Sequence, residues 1–395
     1  MFLAGASALA TPGVWTHEVR ASLDQALHWL LWSGIQSTSP ETLGAINAYY
    51  DADIAAYPYA YPEATGYALT LFVDLHRRWK RDVFLERARS AADWISGRAL
   101  IPETGRVLFR HYYDAGTFSP RHAYAFDTGI ILAGFANLLR VAASPGYRRS
   151  ALEMGFWLTD TMQKPDGSLH CAYDLEEGTF VPASARWSQR SGPFHTKVAA
   201  GLLNLAEACG EASFERAARR LCDWAVARQS PDGRFLWDGD DSVTRAHPHC
   251  YACEGLLYAG VKLGESRYRE AAARGIGWLL RHQRPDGSIP AEWTCGGSGP
   301  QTRMDAIAQT LRLVLTAVRA GALGRELLPA APRLLKFLLR WQSACEDPFQ
   351  RGGFSFLAAG QRHSNSWATM FAIQAMGLWL DMIEGGPPLD WNALQ

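Results

Sequence analysis

A five-residue motif, Gln-x-Pro-Asp-Gly, occurs three times in this chain. It reads "QKPDG" from Gln163, "QSPDG" from Gln229 and "QRPDG" from Gln283, each time after a Trp-containing apolar run. Pro presets φ, Asp can bond its own backbone, and Gly tolerates positive φ, so each copy predicts a helix end followed by a sharp turn. A repeated supersecondary unit constrains the fold more strongly than any other feature of the sequence.

The frame of the motif extends beyond these three copies. An apolar or aromatic residue stands five positions before each repeated Gln, and the same frame recurs along the chain. The anchor residues are Trp29, Trp94, Leu158, Trp224, Trp278 and Phe337. Because the anchors follow one another at similar intervals, we predict six units of one repeat.

Each unit contains two helical stretches of different character. One is amphipathic and ends at the turn, as in "YREAAARGIGWLLRHQ", and the other is apolar almost all round, as in "CEGLLYAGVKL". A helix that is apolar all round is buried, whereas an amphipathic helix covers it from outside. The sequence therefore predicts an all-α protein, an (α/α)6 toroid of six hairpins with negligible strand content. The repeated Gln is expected to bond free carbonyls at a helix end.

The expected boundaries are a lead-in over 1–20, one toroid domain over 21–385 and a tail over 386–395. The start lacks a basic region, so we expect no signal peptide, and no apolar window is long enough for a membrane span. The seven cysteines are scattered, which favours a reducing compartment. These features predict a soluble, cytoplasmic protein.

The charge balance and the missing motifs exclude several classes of function. Lys+Arg and Asp+Glu both number 39, so there is no basic excess for a nucleic-acid partner. No Gly-rich phosphate loop follows a strand, and no Gly-x-Ser-x-Gly elbow is present. We therefore expect no cofactor.

The repeated stretch resembles the Gln-Trp repeat of squalene-cyclase and prenyltransferase toroids, in which an aromatic and an aliphatic residue precede Gln and Gly. Similar six-hairpin toroids carry unsaturated glucuronyl hydrolases, uronate lyases, glucuronyl C5-epimerases and N-acylglucosamine 2-epimerases. The resemblance covers most of the chain but is architectural, so it implies a fold and does not name a reaction.

In a toroid the turns that lead into the inner helices meet at one end, where a cavity is expected. Those turns contain the candidate catalytic residues Glu63, Asp127, His195, His249, Tyr251, Glu254 and Asp305. They also contain the candidate substrate-binding residues Tyr67, His122, Lys197, Arg303, His363, Asn365 and Trp367. A purely structural alternative is that the acids only complement helix dipoles and that the histidines only make structural hydrogen bonds.

Helix N-termini favour anions, and aromatic rings beside polar groups favour sugars. We therefore expect an oligo- or polysaccharide substrate that contains uronate, gripped by Lys197 and Arg303. A glycoside hydrolase would use two carboxyl groups among Glu63, Asp127, Glu254 and Asp305.

A polysaccharide lyase or a glucuronyl C5-epimerase is an equally suitable alternative. There Tyr251, His195 or His249 would remove the proton beside the carboxylate, while Arg303 and Asn365 neutralise the enolate. The residues do not separate elimination or epimerisation from hydrolysis. A non-catalytic glycan-binding toroid is a further alternative.

Two local patterns point to other chemistry. "DGDD" over Asp238–Asp241 matches the Asp-x-Asp-Asp acid of class II terpene cyclases, but Pro248 stands before the next helix, which favours an acidic loop. His247, His249, Cys250 and Cys253 lie within seven residues, yet no second ligand pair accompanies them, so we expect no metal. The cyclase stays an alternative function.

Overall fold

The computed structural model describes residues 12–113, 121–184, 187–236, 242–359 and 363–394. Twelve α-helices occur in this part of the chain and alternate between an outer and an inner ring. The outer helices are α1 (Pro12–Trp32), α3 (Asp82–Trp94), α5 (Pro145–Phe156), α7 (Ala212–Val226), α9 (Ser266–Arg281) and α11 (Ala330–Leu339). The inner helices are α2 (Pro62–Trp79), α4 (Ala125–Leu139), α6 (Val198–Cys209), α8 (Ala246–Lys262), α10 (Met304–Arg319) and α12 (Ser366–Glu384).

The two rings follow from the two kinds of helix. Every residue of α4 from Ala125 to Leu138 is buried, whereas α9 buries one face through Tyr268, Ile276 and Trp278. The inner helices pack in sequence order, and α12 packs against α2, which closes the ring. This arrangement confirms the predicted (α/α)6 toroid.

The anchor residues of the repeat lie on the outer ring and face inward. Trp94, Trp224, Trp278 and Phe337 are all buried within the outer layer, as the period predicts. Apolar burial on this scale is the main source of the stability of such a ring.

The repeated Gln joins each unit to the next one. Nε2 of Gln229 donates to the carbonyl of Gly233 in its own turn, at 3.0 Å, and to that of Ala271 within α9, at 2.8 Å. The prediction that this Gln bonds free carbonyls at a helix end is therefore wrong, because one acceptor lies in the turn and the other inside α9. Gly233 has φ of 98°, and a Cβ there would lie 2.4 Å from the carbonyl oxygen of Arg274, so only Gly allows the turn to pack this closely on α9.

The same double bond is made in other units, which explains why the motif recurs. Gln163, Gln283 and Gln342 each donate to a turn Gly and to a carbonyl of a neighbouring outer helix. Gln36 does so in the first unit, where the sequence frame contains no Gln. The motif is a connector between outer helices.

Short strands, which the sequence does not predict, surround the entrance to the inner ring. They are β1 (Tyr49–Asp51), β2 (Tyr59–Ala60), β3 (His111–Tyr112), β4 (His122–Tyr124), β5 (Ala172–Asp174), β6 (Thr179–Phe180), β7 (Val243–Arg245), β8 (Glu292–Thr294), β9 (Gly297–Ser298), β10 (Phe354–Ser355) and β11 (His363–Asn365). They form four small antiparallel sheets, β1-β11-β10, β2-β3, β4-β5-β6 and β7-β8-β9. Pairing of Tyr49 with Asn365 ties the first unit to the last.

Both ends of the described chain belong to the packed structure. α1 begins at Pro12, inside the segment expected to be a lead-in. Near the other end Asp390 accepts hydrogen bonds from Arg140, and Asn392 is buried beneath the inner ring beside Asn204 and Tyr258. No helix in the described ranges is long and apolar enough to cross a bilayer.

Candidate active site

One cavity opens at the end of the toroid where the inner helices begin. Its volume is about 390 Å³, and residues at or just before the start of all six inner helices line it. The lining residues are Tyr49, Tyr59, Tyr61, Glu63, Phe109, Arg110, Tyr124, Phe126, Asp127, Ser188, Phe194, His247, Tyr251, Arg303, Asp305, Phe356, His363, Asn365 and Trp367. A cavity of this size suits a small organic ligand.

Two carboxyl groups enter the cavity from neighbouring inner helices. Glu63 lies in the first turn of α2 and Asp127 in the first turn of α4. Trp367 Nε1 donates to Glu63 Oε2 at 3.1 Å, and Tyr61 Oη donates to Asp127 Oδ2 at 3.0 Å. Burial and then the charge of Asp127 raise the pKa of Glu63 well above its usual value, although the Trp367 hydrogen bond opposes the shift. The site therefore favours a protonated Glu63.

A second group combines a base with a cation on the opposite wall. Arg303 Nε and Nη2 contact the two oxygens of Asp305 at 3.0 and 2.5 Å, and Arg303 Nη1 lies 3.2 Å from His247 Nε2. Burial, and then the positive charges of Arg303 and Arg245, lower the pKa of His247 well below its usual value. The imidazole is therefore neutral, and Nε2 is its acceptor nitrogen in this hydrogen bond.

Aromatic rings form most of the cavity wall. The ring centroids of Tyr61 and Trp367 lie 5.3 Å apart, and those of Phe126 and Tyr251 lie 4.8 Å apart. The guanidinium of Arg110 lies 4.3 Å from the ring of Phe109 and donates from Nη1 to Tyr112 Oη at 2.8 Å. Arg110 Nε is buried with no acceptor among the described residues. This part of the wall thus offers apolar faces together with the guanidinium of Arg110.

The last unit supplies polar groups at the mouth of the cavity. His363 Nε2 lies 3.2 Å from Asp51 Oδ2, and its ring stacks on Tyr49 with centroids 4.6 Å apart. Asn365 Oδ1 accepts the backbone N–H of Ala368 and so caps α12. Asn365 therefore has a structural task whether or not it binds a ligand.

The structure brings together most of the residues that the sequence predicts at the site. Those on the cavity wall are Glu63, Asp127, Tyr251, Arg303, Asp305, His363, Asn365 and Trp367. The remaining candidates are Tyr67, His122, His195, Lys197, His249 and Glu254, and they lie elsewhere. The prediction that Tyr67, His195 and His249 share this cavity wall is wrong.

Two of the predicted histidines, His249 and His195, do not reach the cavity. His249 lies on α8 two residues after His247, which places it on the opposite face, where Nε2 bonds the carbonyl of Gly275 at 3.0 Å. His195 is buried, with Nδ1 3.2 Å from the carbonyl of Gly192. Burial lowers the pKa of His249 to about 4 and that of His195 to about 3.

The other candidates lie below the cavity, inside the ring of inner helices, or in a sheet outside the cavity wall. Tyr67 is one turn below Glu63 on α2, above Lys197, whose Nζ lies 5.0 Å from the Tyr67 ring centroid. Lys197 pairs with Glu254 within the inner ring and not with a group in the cavity. His122 lies beside Asp174 in the β4-β5 sheet, with Nε2 and Oδ2 3.4 Å apart.

The sequence analysis overlooked Arg110 and Tyr61, and it chose His249 as the catalytic candidate where the structure places His247 on the cavity wall. The spacing of four residues between His247 and Tyr251 places both on one face of α8, so helical geometry contains that signal. Arg110 belongs to a connection between α3 and β3 that the repeat does not cover, and nothing in its neighbours marks it.

The cysteine-rich stretch of α8 has ordinary packing. Cys250 and Cys253 are buried, and Cys250 Sγ lies 3.6 Å from the Thr310 hydroxyl. Among the described residues no group of three His, Cys, Asp or Glu side chains could hold a metal. Asp238–Asp241 lies outside the described residues.

Comparison with known proteins shows a similarity of fold. No family model matches it. A cellobiose 2-epimerase from Bacillus thermoamylovorans B4167 superimposes with a TM-score of 0.77 at 12% identity, covering 92% of this chain and 99% of that one. An unsaturated glucuronyl hydrolase from Bacillus sp. GL1 superimposes with a TM-score of 0.68 at 14% identity, covering 91% and 96%.

One curated protein shares sequence over a shorter stretch. An ent-copalyl diphosphate synthase from Streptomyces sp. (strain KO-3988) is 26% identical over 167 residues, which is 41% of this chain and 30% of that protein. The match therefore spans less than a third of the relative. The solved structures establish the (α/α)6 toroid fold, and at these identities they establish the fold alone.

Proposed function

We propose that this protein is a carbohydrate-active enzyme, and specifically a glycoside hydrolase. The observation that carries the proposal is the pair of carboxyl groups, Glu63 and Asp127, on the wall of one aromatic cavity. Glycoside hydrolysis needs one protonated and one ionised carboxyl group near the same bond. The raised pKa of Glu63 and the hydrogen bond from Tyr61 to Asp127 fit that division of roles.

Glu63 is the proposed general acid. Its Oε2 accepts the indole N–H of Trp367, so the proton is expected on Oε1, from which it would pass to the leaving oxygen of the sugar. Asp127 is the proposed base toward water or the nucleophile toward the anomeric carbon. The Tyr61 hydrogen bond stabilises its negative charge in either case.

The wall of the cavity supports a sugar ligand. Rings such as those of Tyr61, Phe126 and Trp367 offer apolar faces to a pyranose, and the surrounding carboxyl and imidazole groups can bond its hydroxyls. At about 390 Å³ the cavity suits a short sugar segment better than a long chain. Solved structures of the same fold bear the names of a cellobiose 2-epimerase and an unsaturated glucuronyl hydrolase, which agrees with a sugar substrate.

Recognition of a uronate carboxylate is assigned to Arg110 instead of Arg303. Two nitrogens of Arg303 already donate to Asp305, and Lys197 forms an ion pair with Glu254 beneath the cavity. Arg110 lines the cavity with a buried Nε that has no acceptor among the described residues. A guanidinium with spare donors can grip a carboxylate.

The test compares Glu63→Gln and Asp127→Asn on uronate-terminated oligosaccharides and on aryl glycosides of the same sugar. With a sugar leaving group, both variants should lose about 10²–10⁴-fold in kcat. A nitrophenyl leaving group needs no proton, so it should restore Glu63→Gln and leave Asp127→Asn inactive. Equal loss by both variants on both substrates would refute the assignment of Glu63 as the acid.

A second candidate, epimerisation or elimination, is favoured by His247. Its neutral imidazole lies against Arg303, and such a pair can remove a proton beside a carbonyl or carboxylate and neutralise the enolate once Arg303 Nη1 turns from His247 Nε2 to the substrate oxygen. Reaction in D₂O tests for epimerisation, because re-protonation puts deuterium on a sugar carbon without cleavage, whereas elimination cleaves the bond and leaves a double bond beside the carboxylate that absorbs ultraviolet light. Deuterium incorporation without cleavage would replace the hydrolase by an epimerase, and an absorbing cleavage product would replace it by a lyase.

The third candidate is a terpene cyclase. The local likeness to an ent-copalyl diphosphate synthase and the Asp238–Asp241 motif favour it, whereas Arg110 and Arg303 on an aromatic wall disfavour a cavity that must hold a carbocation. Incubation with a C20 prenyl diphosphate, followed by mass spectrometry, decides the question. A cyclised product that disappears in Asp240→Asn would overturn the sugar assignment.

A further inference from the structure

A group of charged side chains lies inside the ring of inner helices, below the cavity. Lys197, Glu254 and Arg312 form this group, the buried triad, and their side chains are only 2%, 11% and 4% exposed. Lys197 Nζ lies 2.5 Å from Glu254 Oε2, and Arg312 Nη2 lies 2.7 Å from Glu254 Oε1. One carboxylate therefore forms ion pairs with two cations.

The charges of the buried triad do not balance. Burial lowers the pKa of Lys197 to about 8, with Glu254 opposing and Arg312 adding to the shift, so the lysine still carries its charge near pH 7. Glu63 is the other acid that acts on Lys197, and its raised pKa favours the neutral form. The triad thus has a net charge of about +1, which costs desolvation energy unless an anion balances it.

The spare hydrogen-bond donors belong to Arg312. Its Nε and Nη1 are buried and have no acceptor among the described residues. The ammonium of Lys197 lies over aromatic faces, 4.6 Å from the ring centroid of Tyr251 and 5.2 Å from that of Phe371, and the guanidinium of Arg312 lies 4.8 Å from the same Phe371 ring. A buried donor without an acceptor is costly, so the unmet demand belongs to the two N–H groups of Arg312, which point in different directions within the guanidinium plane.

A small second cavity adjoins the triad. The volume that the centre of a water molecule can reach in this cavity is about 30 Å³. One water needs about 10–15 Å³ of such volume, so the cavity has room for two or three waters. Its wall includes Lys197, Glu254 and Arg312 together with apolar side chains such as Leu257, Leu313 and Leu394. The hydroxyl of Thr316, also on the wall, already bonds backbone carbonyls of α10.

We propose that this second cavity binds one small monovalent anion, of the chloride class, on one of the two spare donors of Arg312, Nε or Nη1. The net positive charge of the triad supplies the attraction, and the spare donor supplies the contact. The apolar remainder of the wall suits a weakly hydrated halide, and space for two or three waters is too small for a sugar acid. The site is separate from the substrate cavity, and the inference does not depend on the proposed function.

The primary experiment measures thermal unfolding at pH 7 and constant ionic strength while chloride replaces gluconate, a sugar acid that is too large for the site. An anion that binds the folded state alone should raise Tm along a saturating curve, by about 2 °C or more at saturation. Bromide should act like chloride. A Tm that follows ionic strength and not anion identity would overturn the proposal.

Two variants and a matched control locate the effect. Arg312→Met removes the donors and leaves the Lys197–Glu254 pair neutral, so the response to chloride should disappear. Glu254→Gln removes the balancing charge, so the response should grow. Arg78→Met is the control, because Arg78 is fully engaged by Asp74 and Asp381 and its loss should leave the response to chloride unchanged.

A bromide soak of the wild-type crystal keeps the proposal testable if a variant does not fold. The expected result is an anomalous peak within hydrogen-bond distance of Arg312 Nε or Nη1. A peak elsewhere on the surface with none at Arg312 would refute the site. Loss of sugar turnover in Glu63→Gln has no bearing on either outcome.

Discussion

Two groups of charged residues within the ring of inner helices have different surroundings and different uses. The upper group, Glu63, Asp127, Arg303 and Asp305, lies in the first turns or at the helix starts and faces a cavity of about 390 Å³. The buried triad combines Lys197, which directly precedes α6, with Glu254 and Arg312, which lie two turns along α8 and α10, where the ring of helices excludes all but a small space. Position within the ring therefore separates groups that line the large cavity from groups that meet each other.

The comparison also shows why residue type alone misleads. Glu254 and Glu63 are both acids on inner helices, and the sequence makes them equal candidates for catalysis. In the fold, each carboxylate oxygen of Glu254 bonds a cation. In Glu63, Oε2 accepts the hydrogen bond from Trp367, and Oε1 remains available to a ligand in the cavity. The first arrangement pairs a carboxylate with two cations, and the second favours a protonated carboxyl.

The largest expected difference between the two groups is in stability. Glu254→Ala leaves Lys197 and Arg312 buried without their shared anion, and removing one partner of a buried pair costs about 3–5 kcal/mol of unfolding free energy. Denaturant unfolding measures this loss. Glu63→Ala is the comparison variant, and a loss of stability as large as that of Glu254→Ala would contradict the division between the two groups.

The pH dependence of stability should reveal the protonated Glu63. Its folded-state pKa is raised above the unfolded value, so the folded protein holds the proton more tightly and the stability from this group is lost as the pH rises through the folded pKa. His195 and His247 have lowered pKa values and act oppositely, destabilising the fold as the pH falls below about 6.5.

Urea unfolding of wild type and Glu63→Gln across pH 4–9 isolates the contribution of Glu63. The variant should gain stability relative to wild type as the pH rises, since Gln cannot ionise. Parallel curves for the two proteins would mean that Glu63 is ionised in the fold, and the proposed acid would then lack its proton.

The two cavity arginines should respond differently to substrate charge. Arg110→Lys should weaken transition-state binding of a uronate-terminated substrate by about 1.5–3 kcal/mol in kcat/KM, and it should hardly affect the same substrate reduced to an alcohol. Arg303→Lys is the matched control, because Asp305 and His247 hold Arg303, so both substrates should suffer alike. Equal losses in Arg110→Lys would remove the uronate from the proposal.

The smallest expected effect concerns the connector between outer helices. Gln229→Ala breaks two hydrogen bonds to backbone carbonyls, so we expect a loss of about 1–3 kcal/mol of unfolding free energy. Thermal and urea unfolding measure it, and activity of the folded enzyme should not change. Gln25→Ala, at an exposed position of α1 outside the repeated frame, serves as a control, and an equal loss there would contradict the connector role.

The sequence predicts the fold better than the site because the fold depends on periodic features. Anchors such as Trp224 and Trp278 recur with the repeat and lie on the outer helices as predicted. The site depends on direction and depth, and these are not periodic. His247 and His249 stand two residues apart and look equivalent in the sequence, yet one faces the substrate cavity and the other the outer helix α9.

The amino-acid sequence by itself determined the six-unit helical ring, because a turn motif and two kinds of helical amphipathicity repeat along it. It also determined that acids, histidines and aromatic residues gather where the inner helices begin. Only the tertiary structure decided that Asp305 pairs with Arg303, that Arg110 lies on the cavity wall, and that Glu254 belongs to the buried triad. Those outcomes depend on contacts between helices far apart in the chain, where distance and burial decide which charge meets which.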